Sequence, residues 1–366
     1  MSELVFSTWS AVSPYGVGSE AFRTGIRAGR GAIGALDPAT HPGPFTEGAL
    51  VPDFDVTEHI GRKGTRTMDR VTALAVTAVG LLLADGGPEL TSRPEETGLV
   101  LGTGSGSVQS IMDFTRDSLE GERPYHVDPA RFPNTVMNRA AGQSAIWHGI
   151  KGPNTTIAGG RLTGLTALSY ATRLHRGGHC ARVLCGAAEE YSVQRAWLEW
   201  HGRDDDDRTS PLGEGAAVFL LETEEDARAA GRPVRARLLT TGFRAFAEPG
   251  DAQEALAECV RGALKQVGAR ADDVRVVAVA DTGGSLSGVE KAAIREVLGP
   301  TAPAPLGNRA LLGDTSAATA SLQLAAVLSV LDDEETPPGA LALVTAVDRD
   351  GTVGCALLAA ATNEEN

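Results

Sequence analysis

Short apolar runs, several closed by glycine, alternate along this chain with segments whose apolar residues fall at helical spacing. The runs are Gly98 to Gly102, Thr155 to Gly160, Ala181 to Gly186, Ala216 to Glu222, Val274 to Ala280, Ala340 to Ala346 and Gly354 to Ala361. Near-continuous apolar character, rather than strict alternation, is the mark of strands buried on both faces. Between them, Arg66 to Leu83 carries Met68, Val71, Leu74, Ala75 and Val79 at helical intervals, and Leu165 to Leu174 and Ala252 to Val267 show comparable spacing. The pattern predicts a layered α/β fold with helices covering both faces of its sheets.

The order of these segments repeats. Ala181 to Glu222 reads as strand, irregular excursion, strand, and Ala340 to Ala361 repeats the scheme with a much shorter excursion. This points to an internal duplication. The seam falls near the polar segment Thr223 to Pro233, giving halves 1–225 and 226–366 within one compact body. Asp204 to Asp207 form a run of carboxylates, which cannot converge on one ion without a sharply folded loop, and the expectation is a solvated loop.

Composition excludes several functions. A formal charge of -14 and only 5% aromatic residues leave no platform for nucleic acid and no attraction to an anionic membrane. Met1 to Gly16 lack the basic start and apolar block of a signal peptide, and no apolar run is long enough to span a bilayer. Cys180, Cys185, Cys259 and Cys355 show neither zinc spacing nor the density of a disulfide scaffold, so reduced thiols and a cytoplasmic location are expected. The seven histidines form no ligand cluster, and Gly102 to Gly106 lack the third-glycine spacing of a dinucleotide loop, so neither metal nor cofactor is expected. Cys185, in an apolar strand without a base or cation nearby in sequence, reads as a core thiol.

Lys151 to Leu168, KGPNTTIAGGRLTGLTAL, resembles the nucleophile segment of the β-ketoacyl synthases, a thiolase-fold family. Arg62 to Asp85 resembles that family's early helix, Ser210 to Glu222 its glycine-glutamate loop and closing strand, and Leu4 to Ile33 its opening strand and helix. Asn138 to Gly142 with Gly149 to Asn154 match its approach to the active-site strand. The resemblance runs almost end to end and implies duplicated αβαβα halves.

The chemistry implied by that family is missing. Its nucleophilic cysteine sits at a helix N-terminus, where the helix dipole favours the thiolate. By the resemblance, that position is Arg161, whose guanidinium stays protonated and accepts no acyl group. The two histidines that polarise the thioester carbonyl in the family fall on Thr282 and Asp314, and its lysine upstream of the second falls on Arg309. The gating phenylalanine of the C-terminal glycine-rich loop falls on Arg349, in Asp348-Arg349-Asp350-Gly351. Loss of nucleophile, both histidines and gate is similar to the chain length factor, or ketosynthase beta subunit, of bacterial type II polyketide synthases. That subfamily carries glutamine where this chain has Arg161, which sets the chain apart from the aromatic-polyketide type and fits a reducing, polyene-forming branch.

The resemblance also implies a catalytic ketosynthase as heterodimer partner, joined through the strand Asn154, Thr155, Thr156, Ile157 and Ala158. An apolar edge strand of this kind invites aggregation unless covered. An acyl carrier protein would dock mainly on that partner, since this chain is acidic. The acyl tunnel would be lined by Ile111, Met112, Thr115, Phe132 and Met137, against the plain reading that these are core residues. Arg161, a cation at the wrong end of a helix dipole, needs an anion; Asp314 is the expected partner, with Asp281, Glu189 and Glu214 in reserve. Two other functions stay open: an enzyme rebuilt around Asp314, Thr282 and Arg161, and a scaffold that only stabilises a ketosynthase.

Overall fold

The computed structural model describes residues 3–333 and 336–361. The main strands of its large sheet are β1 (Leu4–Ser13), β2 (Thr97–Thr103), β3 (Asn154–Ala158), β4 (Arg182–Glu189), β5 (Gly215–Thr223), β6 (Ala236–Ala245), β7 (Val274–Val279), β8 (Leu306–Gly307), β9 (Leu341–Asp348) and β10 (Thr352–Ala360). They follow one another in a continuous sheet in the order β8-β7-β9-β10-β6-β1-β5-β4-β2-β3, with the short Gly16–Val17 strand paired to β1 off this path. Read outward from the central β1–β6 pair, both arms run alike: antiparallel to β5 and β4 on one side and to β10 and β9 on the other, then parallel to the edge. β3 lies at one edge, paired among the described residues only to β2.

The principal helices are α1 (Arg70–Gly86), α2 (Val108–Glu120), α3 (Arg139–His148), α4 (Thr163–Arg176), α5 (Val193–Gly202), α6 (Ala252–Val267), α7 (Val289–Leu298) and α8 (Thr319–Leu331). α1 and α3 pack on the outer face of the first arm, and α6 and α7 on the outer face of the second. α4 and α8 lie between the arms and share one apolar cluster with the inner strand faces. α8 is apolar on every side, and only Val330 of its residues is not fully buried, as a helix in a central layer requires. At the α4–α8 crossing a Cβ on Gly164 would lie 2.6 Å from the Ser321 backbone nitrogen, so the approach needs glycine. Among the described residues no helix is long and apolar enough to cross a membrane.

One sequence expectation changes. The helix expected from Arg66 begins at Arg70, because the Asp69 side chain accepts the Thr72 N–H at 2.8 Å and caps it there. Within the polar segment Thr223 to Pro233, Thr223 caps a short helix, Glu224–Ala229.

Candidate functional site

The carboxyl ends of β3, β7 and β9 converge on the turn between β3 and α4, the usual place for a site in a sheet with parallel strands. Arg161 lies in that turn. Its neighbour Gly160 is required there, since a Cβ would overlap the Asp348 carboxylate. That carboxylate, at the end of β9, accepts the Arg161 backbone N–H. Arg161 is only 6% exposed, and its guanidinium donates through Nη2 to Asp314 Oδ2.

Asp314, 2% exposed, is fixed by its own backbone. Its N–H donates to Pro211 O at 2.9 Å and its carbonyl accepts from Gly213 N at 3.0 Å, so the segment carrying it is zipped to the start of β5. Its Oδ1 accepts from Ser316 N at 3.0 Å, and its Oδ2 also takes Nη2 of Arg203 at 2.7 Å. Arg203 in turn reaches Glu199 at 3.0 Å and Ser210 O at 2.8 Å, and Arg195 donates to Asp314 O at 3.0 Å. Burial alone would raise the Asp314 pKa, but the charges of Arg161, Arg203, Arg309 and Arg195 outweigh it and hold the carboxyl well below its usual range. Burial likewise works to lower the Arg161 pKa, and Asp314, Asp348 and Glu199 reverse it, so the guanidinium is held charged above its ordinary value.

A second ion cluster adjoins the first. Asp207 is buried and bridges Arg309 and Arg349, with Nη2 of Arg349 at 2.6 Å. Arg309 also donates to Asp281 O at 3.1 Å. This corrects the expectation of a solvated run at Asp204 to Asp207 at its last residue: Asp204, Asp205 and Asp206 are exposed, Asp204 accepting from Ser285 N at 2.8 Å, but Asp207 is an internal counter-ion. The arginines it neutralises lie more than a hundred residues away, so no local pattern could reveal it. Thr282 is buried and spends its hydroxyl on Val347 O at 2.7 Å.

The reserve partners are engaged elsewhere. Asp281 pairs with Lys291 at 2.9 Å, and Glu214 holds Arg70 together with the N–H groups of Val51 and Tyr191. Glu189 is buried near Arg195. Arg195, Arg203, Asp207 and Asp348 are the members of the site that sequence reasoning missed. Every cysteine is buried, and burial pushes the Cys185 thiol up to about 12. A surface cavity of about 450 Å³ meets the network at Asp204 and Arg349, and Arg161, Thr282 and Asp314 are not among its lining residues.

The proposed tunnel residues lie apart from this network. Ile111, Met112 and Thr115 are on α2, Phe132 is in the short 3-10 helix Pro129–Thr135, and Met137 precedes α3. The plain core reading fails for most of them: Met112, Phe132 and Met137 are 40%, 57% and 45% exposed, and Thr115 is exposed as well. Phe132 meets Phe114 of α2 at 6.0 Å between ring centroids, so the stretch carrying Phe132 packs on α2. Asn154 and Ala158, at the ends of edge strand β3, are exposed too.

Two family descriptions match in sequence: the β-ketoacyl synthase N-terminal domain over residues 3–227 and its C-terminal domain over 235–341. The chain belongs to the β-ketoacyl synthase family. Within it, the solved structure of the ishigamide ketosynthase/chain length factor superposes with a TM-score of 0.90 at 41% identity, covering 98% of this chain and 99% of that one. The tetracenomycin polyketide synthase ketoacyl synthase alpha subunit of Streptomyces glaucescens is 30% identical over 90% of this chain and 84% of its own length. The beta subunit of the same synthase is 27% identical over 89% and 85%. The chain is thus a member of the ketosynthase/chain length factor group of type II polyketide synthases.

Proposed function

We propose that this β-ketoacyl synthase relative carries out no condensation itself and is the chain length factor of a two-subunit condensing complex. The single observation that carries this reading is the filled site. The Arg161 guanidinium, charged and locked to Asp314, occupies the turn at which the family resemblance puts the nucleophile. A protonated guanidinium has no lone pair with which to attack a thioester. Thr282 and Asp314 offer no N–H toward a developing enolate, because one hydroxyl is spent on a carbonyl and the carboxylate is ionised.

The influence on product then acts through shape. We place the acyl tunnel at an interface with a catalytic ketosynthase, lined on this side by Ile111, Met112, Thr115, Phe132 and Met137. Strand β3, Asn154 to Ala158, pairs with its counterpart in the partner across a two-fold axis. The exposure of both sets and the free edge of β3 support this, because an uncovered apolar edge is an aggregation site in a lone subunit. Arg161, where the aromatic-polyketide subfamily has glutamine, fits a highly reducing, polyene-forming system. The carrier protein docks mainly on the ketosynthase, since this chain's net charge of -14 repels an acidic one.

The test is reconstitution of this chain alone and with the ketosynthase of its own pathway, supplied with malonyl on the carrier protein. Condensation only by the pair, unchanged in rate by Arg161→Ala, is the expected result. Turnover by this chain alone, abolished by replacing Arg161 or Asp314, would reveal a rebuilt enzyme. A pair whose product length ignores every tunnel substitution would reduce the chain to a scaffold.

A further inference from the structure

A cavity of about 400 Å³ opens beside the proposed tunnel residues, between the start of α1, the first turn of α2 and the stretch Pro129–Thr135. Its lining includes Arg66, Asp69, Asp113, Asp128, Arg131 and Asn134. Two acceptor atoms in it have no hydrogen-bond partner although both are buried: Oδ2 of Asp69 and Oδ1 of Asn134. Each side chain is held by its other half. Asp69 Oδ1 takes the Thr72 N–H at 2.8 Å, and Asn134 Nδ2, on a residue only 8% exposed, donates to Thr67 O at 2.6 Å. Both vacant oxygens are therefore rigidly presented. A buried acceptor left unpaired is destabilising, more so when it is charged.

The charges around the cavity name the missing group. Asp113 is met by Arg116 at 3.0 Å and by the Gln109 amide at 2.6 Å, and Asp128 lies 3.9 Å from Arg131. Asp69 forms no ion pair among the described residues, and the buried Glu190 lies close enough for the two carboxylates to repel. Burial, the largest cause, raises the Asp69 pKa, and the Thr72 hydrogen bond and the charge of Arg139, which among the described residues makes no hydrogen bond to it, offset that only in part. The vacancy calls for a donor with positive charge that can serve two oxygens at once.

We infer that a cationic side chain of the partner ketosynthase, an arginine or a lysine, enters this cavity on pairing and donates to Asp69 Oδ2 and Asn134 Oδ1. This rests on the proposed heterodimer. The cavity is continuous with the surface proposed for it, because Ser110 and Asp113 of the lining flank Ile111 and Met112 on α2, and Arg131 and Asn134 flank Phe132. A guanidinium suits the geometry best, having parallel N–H groups to share between two oxygens. Such a pair fixes the register of association as well as adding to its lifetime.

The experiment uses the co-expressed pair and measures subunit exchange by fluorescence after mixing labelled and unlabelled heterodimers, at low and high salt. Asp69→Asn keeps the helix-capping oxygen and removes only the charge; exchange is expected to speed up at least tenfold, with a flatter dependence on salt. Asn134→Ala is expected to speed it several-fold. Asp128→Asn, on the exposed rim, is expected to change the salt slope slightly and the low-salt rate by less than threefold. Native exchange rates and salt slopes in both Asp69→Asn and Asn134→Ala would overturn the inference while leaving the heterodimer intact. So would faster exchange with an unchanged salt slope and an equal loss of thermal stability in the chain alone, which marks a purely internal role. A chain that pairs with no ketosynthase would instead sink the heterodimer reading itself.

Discussion

Replacing Asp314 by asparagine keeps the side chain's size and its Oδ1 contact to Ser316 while removing the charge that Arg161 and Arg203 share. Arg203 keeps Glu199 at 3.0 Å and the Ser210 carbonyl at 2.8 Å, so the loss falls mainly on Arg161, whose side chain is 7% exposed and has no other ion pair among the described residues. Removing one partner of a buried pair costs about 3–5 kcal/mol, because the remaining charge stays in a medium that solvates it poorly. At roughly 2.1 cal/mol/K per residue, 366 residues carry an unfolding entropy of about 0.8 kcal/mol/K, so the melting midpoint should fall by about 4–6 °C. Circular dichroism or calorimetry on the chain alone and in the pair reads this directly. Adding Arg161→Met to Asp314→Asn removes the stranded cation, and the double variant should recover about 1–3 kcal/mol relative to the sum of the singles. A midpoint shift under 1 °C for Asp314→Asn, or strict additivity of the two changes, would refute the claim that this pair is what makes a buried arginine tolerable.

The remaining expectations concern pH, packing and product. The native carboxyl of Asp314 holds its proton less tightly than the unfolded one, so its contribution is complete above about pH 5 and is lost as pH falls through the depressed native value. Glu190 and Glu290 act in the opposite sense: burial, first among the causes, raises them to about 8 and about 7, so the unfolded chain releases protons that the native state keeps and stability declines as pH rises from about 4.5 to 8. The melting midpoint should therefore peak on the mildly acidic side, and Glu190→Gln should flatten its alkaline slope; a midpoint that rises steadily to pH 8 would contradict this. Gly164→Leu should cost at least about 1–3 kcal/mol by forcing α4 from Ser321, which thermal melts would register. Met112→Trp or Met137→Trp should shorten the product made by the reconstituted pair without dissociating it, as mass spectrometry of released acyl chains would reveal.

Much of the fold was legible because its strands are buried on both faces and so carry apolar runs that need no partner to recognise. Ala252 to Val267 was placed to the residue, since its polar and apolar faces differ sharply. α8 was harder: being apolar all round, it offers no face to detect, and only the finished layers explain it. Central strand β6, Ala236–Ala245, alternates buried and part-buried positions and ends on exposed ones, a weaker signal than the continuous runs. At the site, Arg161 and Asp314 emerged from spacing against a family pattern. Arg203 and Asp207 did not, since their partners Asp314, Arg309 and Arg349 lie more than a hundred residues away in the chain. A run of acidic residues looks the same in sequence whether it faces water or buried guanidinium groups.

The two members of the central pair are not equivalent, and the inequality can be measured. Asp314 without Arg161 still faces Arg203 at 2.7 Å, still accepts from Ser316 and still feels Arg309 and Arg195, so a carboxylate at this position is compensated on its own. Arg161 without Asp314 keeps only the more remote charges of Asp348 and Glu199, at the helix end whose dipole already opposes a cation. Arg161→Met should thus cost about 1.5 kcal/mol or less, essentially a volume-conserving change with one charged hydrogen bond removed, against the larger loss expected for Asp314→Asn. Should Arg161→Met prove the more damaging of the two, the guanidinium would be the organising charge of the cluster, and Asp314 a passenger among arginines that need it less than the geometry implies.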